Sequence, residues 1–274
     1  MAIDLHNHSY YSDGALSPSE VVCLAKESGC GVFALTDHDT TDGLTEAQQA
    51  ADKQGLKLIH GVEISAMWSN MTIHIVGLNI DKDNSMLQEG LKQHQNFRKI
   101  RAKKMANGLS GAGVIGAMEK TQQLAKTEMI TRTHFAQMLV QEGICKDMKS
   151  VFRRFLTGKK PGGVKGQWAQ FDEVIDWIHA AGGVAVLAHP LRYRMTQTKV
   201  QRMLSNLSSA GLDGVEVIIA RSTDEEITLM SQWANEYDLL YSCGSDYHGW
   251  SNQRIKIGHL KDFSSSDRVV WRDW

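Results

Sequence analysis

The feature that most constrains this chain is an alternation of β-type and helix-type segments on both sides of a stretch that is helical throughout. Short apolar runs at residues 3–5, 32–35, 56–62 and 73–80 read as strands, with helices at 18–28 and 41–54 between them. Ser17-Pro18-Ser19-Glu20 is a capping box with proline at the first helical position, and Gly29, Gly31 and Gly55 end the helices. From Asn84 to about Leu156 the pattern is helical, broken by glycines between 108 and 116 and at Gly143, and Pro161-Gly162-Gly163 closes the stretch. Alternation then resumes, with helices at 171–181, 198–210 and 224–236 and strands at 184–188, 214–219 and 239–242. Six or seven βα units split by helices predict a parallel, barrel-like α/β fold. The tail after Phe263 is polar, carries two tryptophans and has no predicted place.

Composition removes several classes of protein. Hydrophobic residues make up 42% and charged ones 22%, ordinary for a globular chain and unlike disordered or fibrous sequences. No apolar run approaches the ~18 residues of a membrane-spanning helix. The first residues lack the basic and apolar regions of a secretory signal. Cys23, Cys30, Cys145 and Cys243 form no CxxC pair, which points to inert thiols in a reducing compartment. A soluble, cytoplasmic protein is expected. The overall charge of −1 hides a division: residues 84–166 hold 16 Lys and Arg against 5 Asp and Glu, net +11, leaving 14 against 26, net −12, elsewhere. A basic block in an acidic frame suits an anionic substrate beside a carboxylate-rich site.

The histidines fall in a pattern. His6 and His8 end the first strand, His38 the second and Glu63 the third; His74 opens the next, His189 ends another, and Asp246 and His248 follow the last. In a parallel barrel the strand C-termini share one face, so these side chains converge. Residues two apart on a strand point the same way, which makes His6/His8 and Asp246/His248 inward pairs. Ligands of this kind without cysteine favour Mn²⁺, Zn²⁺ or Fe²⁺. There are more of them than one tetrahedral shell takes, so two or three ions are expected. Paired ions about 3.5–4 Å apart are suited to in-line displacement at phosphorus, and the implied chemistry is hydrolysis of a phosphate ester.

The strings DLHNHS, SDG, TDHDT, GVEIS, HIVGLNI, VLAHP and GSDYH resemble the polymerase and histidinol phosphatase (PHP) superfamily. With ITRTHFA and GKKPGGV, their order is similar to the branch containing the 3′,5′-nucleoside bisphosphate phosphatases and a 5′→3′ exoribonuclease. The resemblance implies a distorted (β/α)7 barrel, residues 1–83 and 167–274, with a basic helical insertion, residues 84–166, over the active site. It places one ion on His6, His8, Glu63 and Asp246, a second on Glu63, His74 and His189, and a third on Asp13, His38 and His248. Mn²⁺ is favoured, with Zn²⁺ and Fe²⁺ as alternatives. His6, His8, Glu63, His189, Asp246 and His248 form the implied catalytic set. Arg132, His134, Lys160 and Arg192 are the implied phosphate contacts, arginine being suited to bidentate recognition.

Three departures stand out. Gly163 replaces an aromatic residue in the GKPGYV pattern, for which Trp168 or Tyr193 are candidate substitutes, Lys159 replaces its first glycine, and Thr133 stands where proline is common. Asp37 and Asp39 flank His38 as candidates to orient it or to close a turn. Lys92, Arg98, Lys99, Arg101, Lys103 and Lys104 form a basic helix, read first as a solvated face and second as an RNA track. The implied activity is attack of a metal-bridging hydroxide at the 3′-phosphate of a 5′-phosphorylated nucleotide or short RNA. A histidinol-phosphate-type phosphatase is the nearest rival. A non-catalytic metal-stabilised module that binds nucleic acid or a protein partner is another, and an amidohydrolase is a weaker third.

Overall fold

A computed structural model of the chain describes residues 2–250, 255–262 and 268–274. Among them, seven strands form one sheet in chain order: β1 (Ala2–Asp4), β2 (Cys30–Leu35), β3 (Lys57–Trp68), β4 (Met71–Leu78), β5 (Val184–Leu187), β6 (Gly214–Ile219) and β7 (Leu240–Gly244). The β7 strand returns to the first, with Leu5 N donating to Cys243 O at 3.1 Å, so the sheet curves round on itself. The helices α1 (Pro18–Glu27) and α2 (Leu44–Gln54) pack on its outside. The predicted capping box is present at α1: Ser17 Oγ accepts from Glu20 N, and Glu20 Oε2 accepts from Ser17 N at 2.7 Å.

One strand departs from the parallel expectation. While β1–β3 and β5–β7 are parallel, β4 runs antiparallel to both neighbours. The β3 strand continues to Trp68 and reverses through Ser69 and Asn70, whose φ values are 45° and 64°. A two-residue turn of that handedness joins antiparallel neighbours. Ser-Asn is a weaker turn signal than Asn-Gly, and the apolar residues on either side masked it. Reversal has a functional consequence. The start of β4 lies on the face where the parallel strands end, so His74 arrives there from the opposite direction, paired with Ser65.

Side-chain alternation divides the barrel interior. Val32 and Ala34 of β2 face inward, while Phe33 and Leu35 meet the outer helices. Ile59, Val76, Leu78 and Val186 close the lower interior with Leu5 and Val270. Each fully buried aliphatic chain there contributes about 1.5–3 kcal/mol, which offsets the cost of a polar upper end. Val270 belongs to the tail that had no predicted place; it docks beside β7 through its N–H to Tyr241 O at 3.0 Å. Residues 263–267 of that tail lie outside the described residues.

Between β4 and β5 the chain forms α3 (Ser85–Gly111), α4 (Ala117–Leu124), α5 (Arg132–Gln141), α6 (Met148–Val151) and a π-helical turn (Phe152–Leu156). The first half of α3 packs on the barrel through Leu87 and Leu91. Its second half joins Phe135, Leu139 and Val151 in a separate apolar cluster. The remaining helices, α7 (Phe171–Ala180), α8 (Gln197–Ser209) and α9 (Asp224–Glu236), return to the outer layer. No helix among the described residues is long and apolar enough to cross a membrane.

Candidate metal centre

All nine residues expected as ligands meet at the polar end of the barrel. Glu63, fully buried on β3, is the hub. Its Oε1 lies 2.8 Å from His74 Nδ1, 3.1 Å from His189 Nε2 and 3.3 Å from His6 Nε2. Its Oε2 lies 2.7 Å from His38 Nδ1 and 3.4 Å from His8 Nε2. Asp246 Oδ1 approaches His8 Nε2 at 3.2 Å and His6 Nε2 at 3.7 Å. Asp13 Oδ1 is 3.2 Å from His248 Nε2 and 3.8 Å from His38 Nε2. Among the described residues, three groups have ligand atoms within 4.8 Å of one another: His6/His8/Glu63, His38/Glu63/His74, and His8/Asp13/His38/His248. His8, His38 and Glu63 each belong to two groups, so neighbouring positions share ligands more widely than the expected sets, which shared Glu63 alone.

The donor set fits divalent cations. His6 Nε2, His8 Nε2, Asp13 Oδ1, His38 Nδ1 and Glu63 Oε2 are buried without a hydrogen-bond partner despite their proximity. Each such orphan costs about 1–3 kcal/mol, whereas a shared cation satisfies several at once. Burial, then the neighbouring His248 charge, pushes His8 down to about 3, so its ring is neutral and ready to ligate. Burial opposes a charge on His248 too, yet Asp13 and Asp246 drive it up to about 10. Burial likewise disfavours charge on Asp13 and Glu63, but the surrounding histidines hold both well below the usual carboxylate range. Protons and cations therefore compete for the same atoms.

The backbone is bent to present these groups. His189 (φ 35°) and Asp246 (φ 55°) adopt left-handed conformations that non-glycine residues avoid. Glu216 on β6 holds the first, accepting His189 N at 2.6 Å, while its other oxygen lies 2.7 Å from His6 Nδ1. That contact fixes the His6 tautomer so that Nε2 faces the centre. Asp246 N donates to His6 O at 2.9 Å. Gly244 makes room: a Cβ there would lie 2.2 Å from the Cβ of His6. The sequence reading missed Glu216, although a lone carboxylate in the apolar run Gly214–Ile219 was the available signal.

Asp37 and Asp39 have different tasks. Asp37 organises the loop leading to Asp13, accepting from Ser9 N at 2.8 Å and from the Ser9 and Ser12 hydroxyls at 2.6 Å. Asp39 accepts from Ser65 N at 2.8 Å and Arg98 Nε at 2.6 Å, with His94 Nδ1 at 3.1 Å. Helix α3 is thus tied to the turn that carries His38.

Beside the ligands lies a cavity of about 80 Å³ whose walls include Asp13, His38, His74, Arg98, Arg101, Arg132 and Trp168. Arg98 and Arg101 are buried, whereas Lys92, Lys99, Lys103 and Lys104 on the same helix are exposed, so the expected basic face divides into an inner and an outer part. Arg98 is neutralised by Asp39. Arg101 donates to Val164 O at 3.3 Å and lies over Trp168 at 5.6 Å. Burial, with the Arg132 and Arg98 charges, pushes it down to about 9. Of the two candidate substitutes for the aromatic residue absent at Gly163, Trp168 lines the cavity, and Tyr193 accepts His74 N at 2.8 Å beside the His189 ring. Arg132 lines the cavity. His134 is buried, with Nδ1 accepting Thr131 N at 3.2 Å in a helix cap. Lys160 is exposed, and Arg192 donates to Ala220 O at 2.6 Å; neither lines that cavity.

The PHP domain family model matches residues 4–186. The chain is 42% identical to a 3′,5′-nucleoside bisphosphate phosphatase of Chromobacterium violaceum, over 99% of this chain and 95% of the relative. It is 38% identical to the 5′-3′ exoribonuclease Rnm of Escherichia coli, over 99% and 93%. A solved structure from Chromobacterium violaceum, described as an amidohydrolase with bound sulfate and no metal, superposes with a TM-score of 0.94 at 41% identity, covering 99% of this chain and 95% of that one.

Proposed function

The chain belongs to the PHP domain family, and from that premise we propose a metal-dependent phosphoesterase that hydrolyses the 3′-phosphate ester of 5′-phosphorylated nucleotides. The substrates in this reading are 3′,5′-nucleoside bisphosphates and 5′-phosphorylated oligoribonucleotides taken from the 5′ end. One observation carries it: the ligand cluster adjoins a cavity walled by three guanidinium groups, only one of which, Arg98, is paired with a carboxylate among the described residues. Such a wall suits a phosphate held at a fixed distance from the reacting one.

Divalent ions, with Mn²⁺ the preferred choice, supply a water-derived nucleophile at neutral pH and offset charge developing at phosphorus. The chain's own groups do the rest. His6, His8, Asp13, His38, Glu63, His74, His189, Asp246 and His248 hold the ions. Arg101 and Arg132 anchor the 5′-phosphate in bidentate fashion, and Trp168 keeps Arg101 against the wall. His134 acts through the cap that fixes the first turn of α5, while Lys160 and Arg192 meet the substrate at the rim. Residues 84–166 serve as the arm that carries most of these contacts. Phosphatase and exonuclease action become one reaction, the cut falling on the 3′ side of an anchored 5′-nucleotide; what is attached to that phosphate decides the product.

The test compares adenosine 3′,5′-bisphosphate, adenosine 5′-monophosphate and a short 5′-phosphorylated RNA on Mn²⁺-loaded protein, with His8→Ala as control. Cleavage of the first and third with the monophosphate left intact is expected, and Arg101→Ala should lower kcat/KM on both substrates roughly 10- to 100-fold. Equal release of phosphate from all three would remove the anchor from the scheme.

A further inference from the structure

Thr133 is the second residue of α5, adjoining Arg132, and its hydroxyl donates to Asp13 Oδ2 at 2.7 Å. This bond joins the helical insertion to a residue of the ligand cluster. Asp13 is 3% exposed, and its two oxygens have separate tasks. Thr133 occupies Oδ2, while Oδ1 has no hydrogen-bond partner and faces His248 Nε2 at 3.2 Å and His38 Nε2 at 3.8 Å. The Asp13 main chain is secured elsewhere, its carbonyl accepting Trp250 Nε1 at 2.9 Å. Among the described residues, the Thr133 hydroxyl is the hydrogen-bond donor that orients this carboxylate, beside the ion-pair contact of Oδ1 with His248. An unoriented carboxylate loses rotamer freedom when it takes an ion, and an oriented one has already lost it.

The same helical turn faces the anion cavity. Thr131, Arg132 and Thr133 all line it, together with Arg101. Thr131 caps the turn through bonds from Thr133 N and His134 N, so the three residues move as one unit. An anion drawn between Arg101 and Arg132 settles this turn, and with it the hydroxyl that orients Asp13.

We propose that Thr133 is a positioning residue that couples the two halves of the site: an anion on Arg101 and Arg132 and a divalent ion on Asp13, His38 and His248 each strengthen binding of the other through the Thr133–Asp13 hydrogen bond. The proposal rests on the functional reading above in taking the arginine cavity as the seat of the 5′-phosphate. Linkage requires the effect to be reciprocal. It favours full loading of the centre when a phosphorylated ligand has been engaged.

The experiment is equilibrium dialysis of Mn²⁺ against full-length wild-type protein, Thr133→Ser and Thr133→Val, each with and without adenosine 5′-monophosphate. That probe has a phosphate for the arginine cavity and none at the 3′ position. In wild type and Thr133→Ser, the monophosphate should tighten the weakest-bound ion about fivefold or more. In Thr133→Val, which keeps the shape and lacks the O–H, that ion should bind about tenfold more weakly, and the monophosphate effect should vanish. Thermal unfolding checks that the variants fold; if the valine variant does not, Thr133→Ala against Thr133→Ser makes the same comparison. Wild-type affinity in the valine variant, or a monophosphate effect that survives in it, would overturn the proposal while leaving the phosphoesterase reading intact. Failure of the wild-type protein to bind Mn²⁺ at all would overturn both.

Discussion

Arg98 and Arg101 lie three residues apart on one helix, and their surroundings give them opposite roles. Asp39 meets Arg98 with a bond of 2.6 Å to Nε, which makes it a structural tie between α3 and the His38 turn. Removing one partner of such a buried pair costs about 3–5 kcal/mol. Both lie over the Trp168 ring, but Arg101 meets a carbonyl in place of a carboxylate, so its charge is available to a phosphate. Glu216 illustrates the same economy among carboxylates: one side chain sets the His6 tautomer with one oxygen and restrains the His189 turn with the other. Glu216→Gln keeps the size but turns one acceptor into a donor that opposes either His6 Nδ1–H or His189 N–H. Mn²⁺ affinity should fall about 10- to 100-fold, measured by dialysis, with unfolding by denaturant as the check on the fold. Unchanged affinity would reduce Glu216 to a packing role.

At the scale of elements, α3 links the two parts of the chain. Its first half meets α7 closely enough that a Cβ on Gly90 would lie 2.5 Å from the Trp177 ring. Near its far end, a Cβ on Gly108 would lie 1.8 Å from the Pro161 carbonyl oxygen. Backbone cannot swing aside as a side chain can, so Gly108→Ala must displace the segment that carries Lys160. A loss of about 1–3 kcal/mol is expected from such overpacking, read from denaturant midpoints, together with a raised KM for the 5′-phosphorylated substrate. A variant as stable as wild type would show that the segment relaxes freely. Helix periodicity made most of α3 legible in the sequence, although the helix runs through Gly108, where a break was expected, to Gly111; the residues that cap α1 were readable in full. The antiparallel course of β4 was not, because the Ser69–Asn70 turn is encoded by backbone conformation more than by residue type.

For the whole molecule, the ligand cluster joins residues from position 6 to position 248, so an ion placed there ties nearly the entire barrel together. Ligands bound only by the folded state add stability by mass action, about 2.7 kcal/mol at a hundredfold excess over Kd. Chelation of Mn²⁺-loaded protein should therefore lower Tm by about 5–10 °C, measured by calorimetry, and Mn²⁺ should restore it. A Tm indifferent to chelator would mean that the cluster holds no ion of consequence. The charge division has its place at this scale too. The basic stretch 84–166 brings Arg101 and Arg132 to a cavity that Asp13, His38 and His74 also line, and cations bound there would leave a field that attracts phosphate.

Sequence alone determined the alternation of strands and helices, the helical block between them and, beyond Asp13, which only the family resemblance supplied, eight candidate ligands. Those depend on local periodicity and on residue types that few environments tolerate in such numbers. Tertiary structure decided which atoms share a position, because His8 and His38 each reach two groups only once separate strand ends are brought within bonding distance. It also decided which arginines face inward, since α3 buries Arg98 and Arg101 only by packing against segments far away in the chain. Glu216, Thr133 and the reversed β4 strand act through partners distant in sequence, and the physics that selects them appears only when those partners meet.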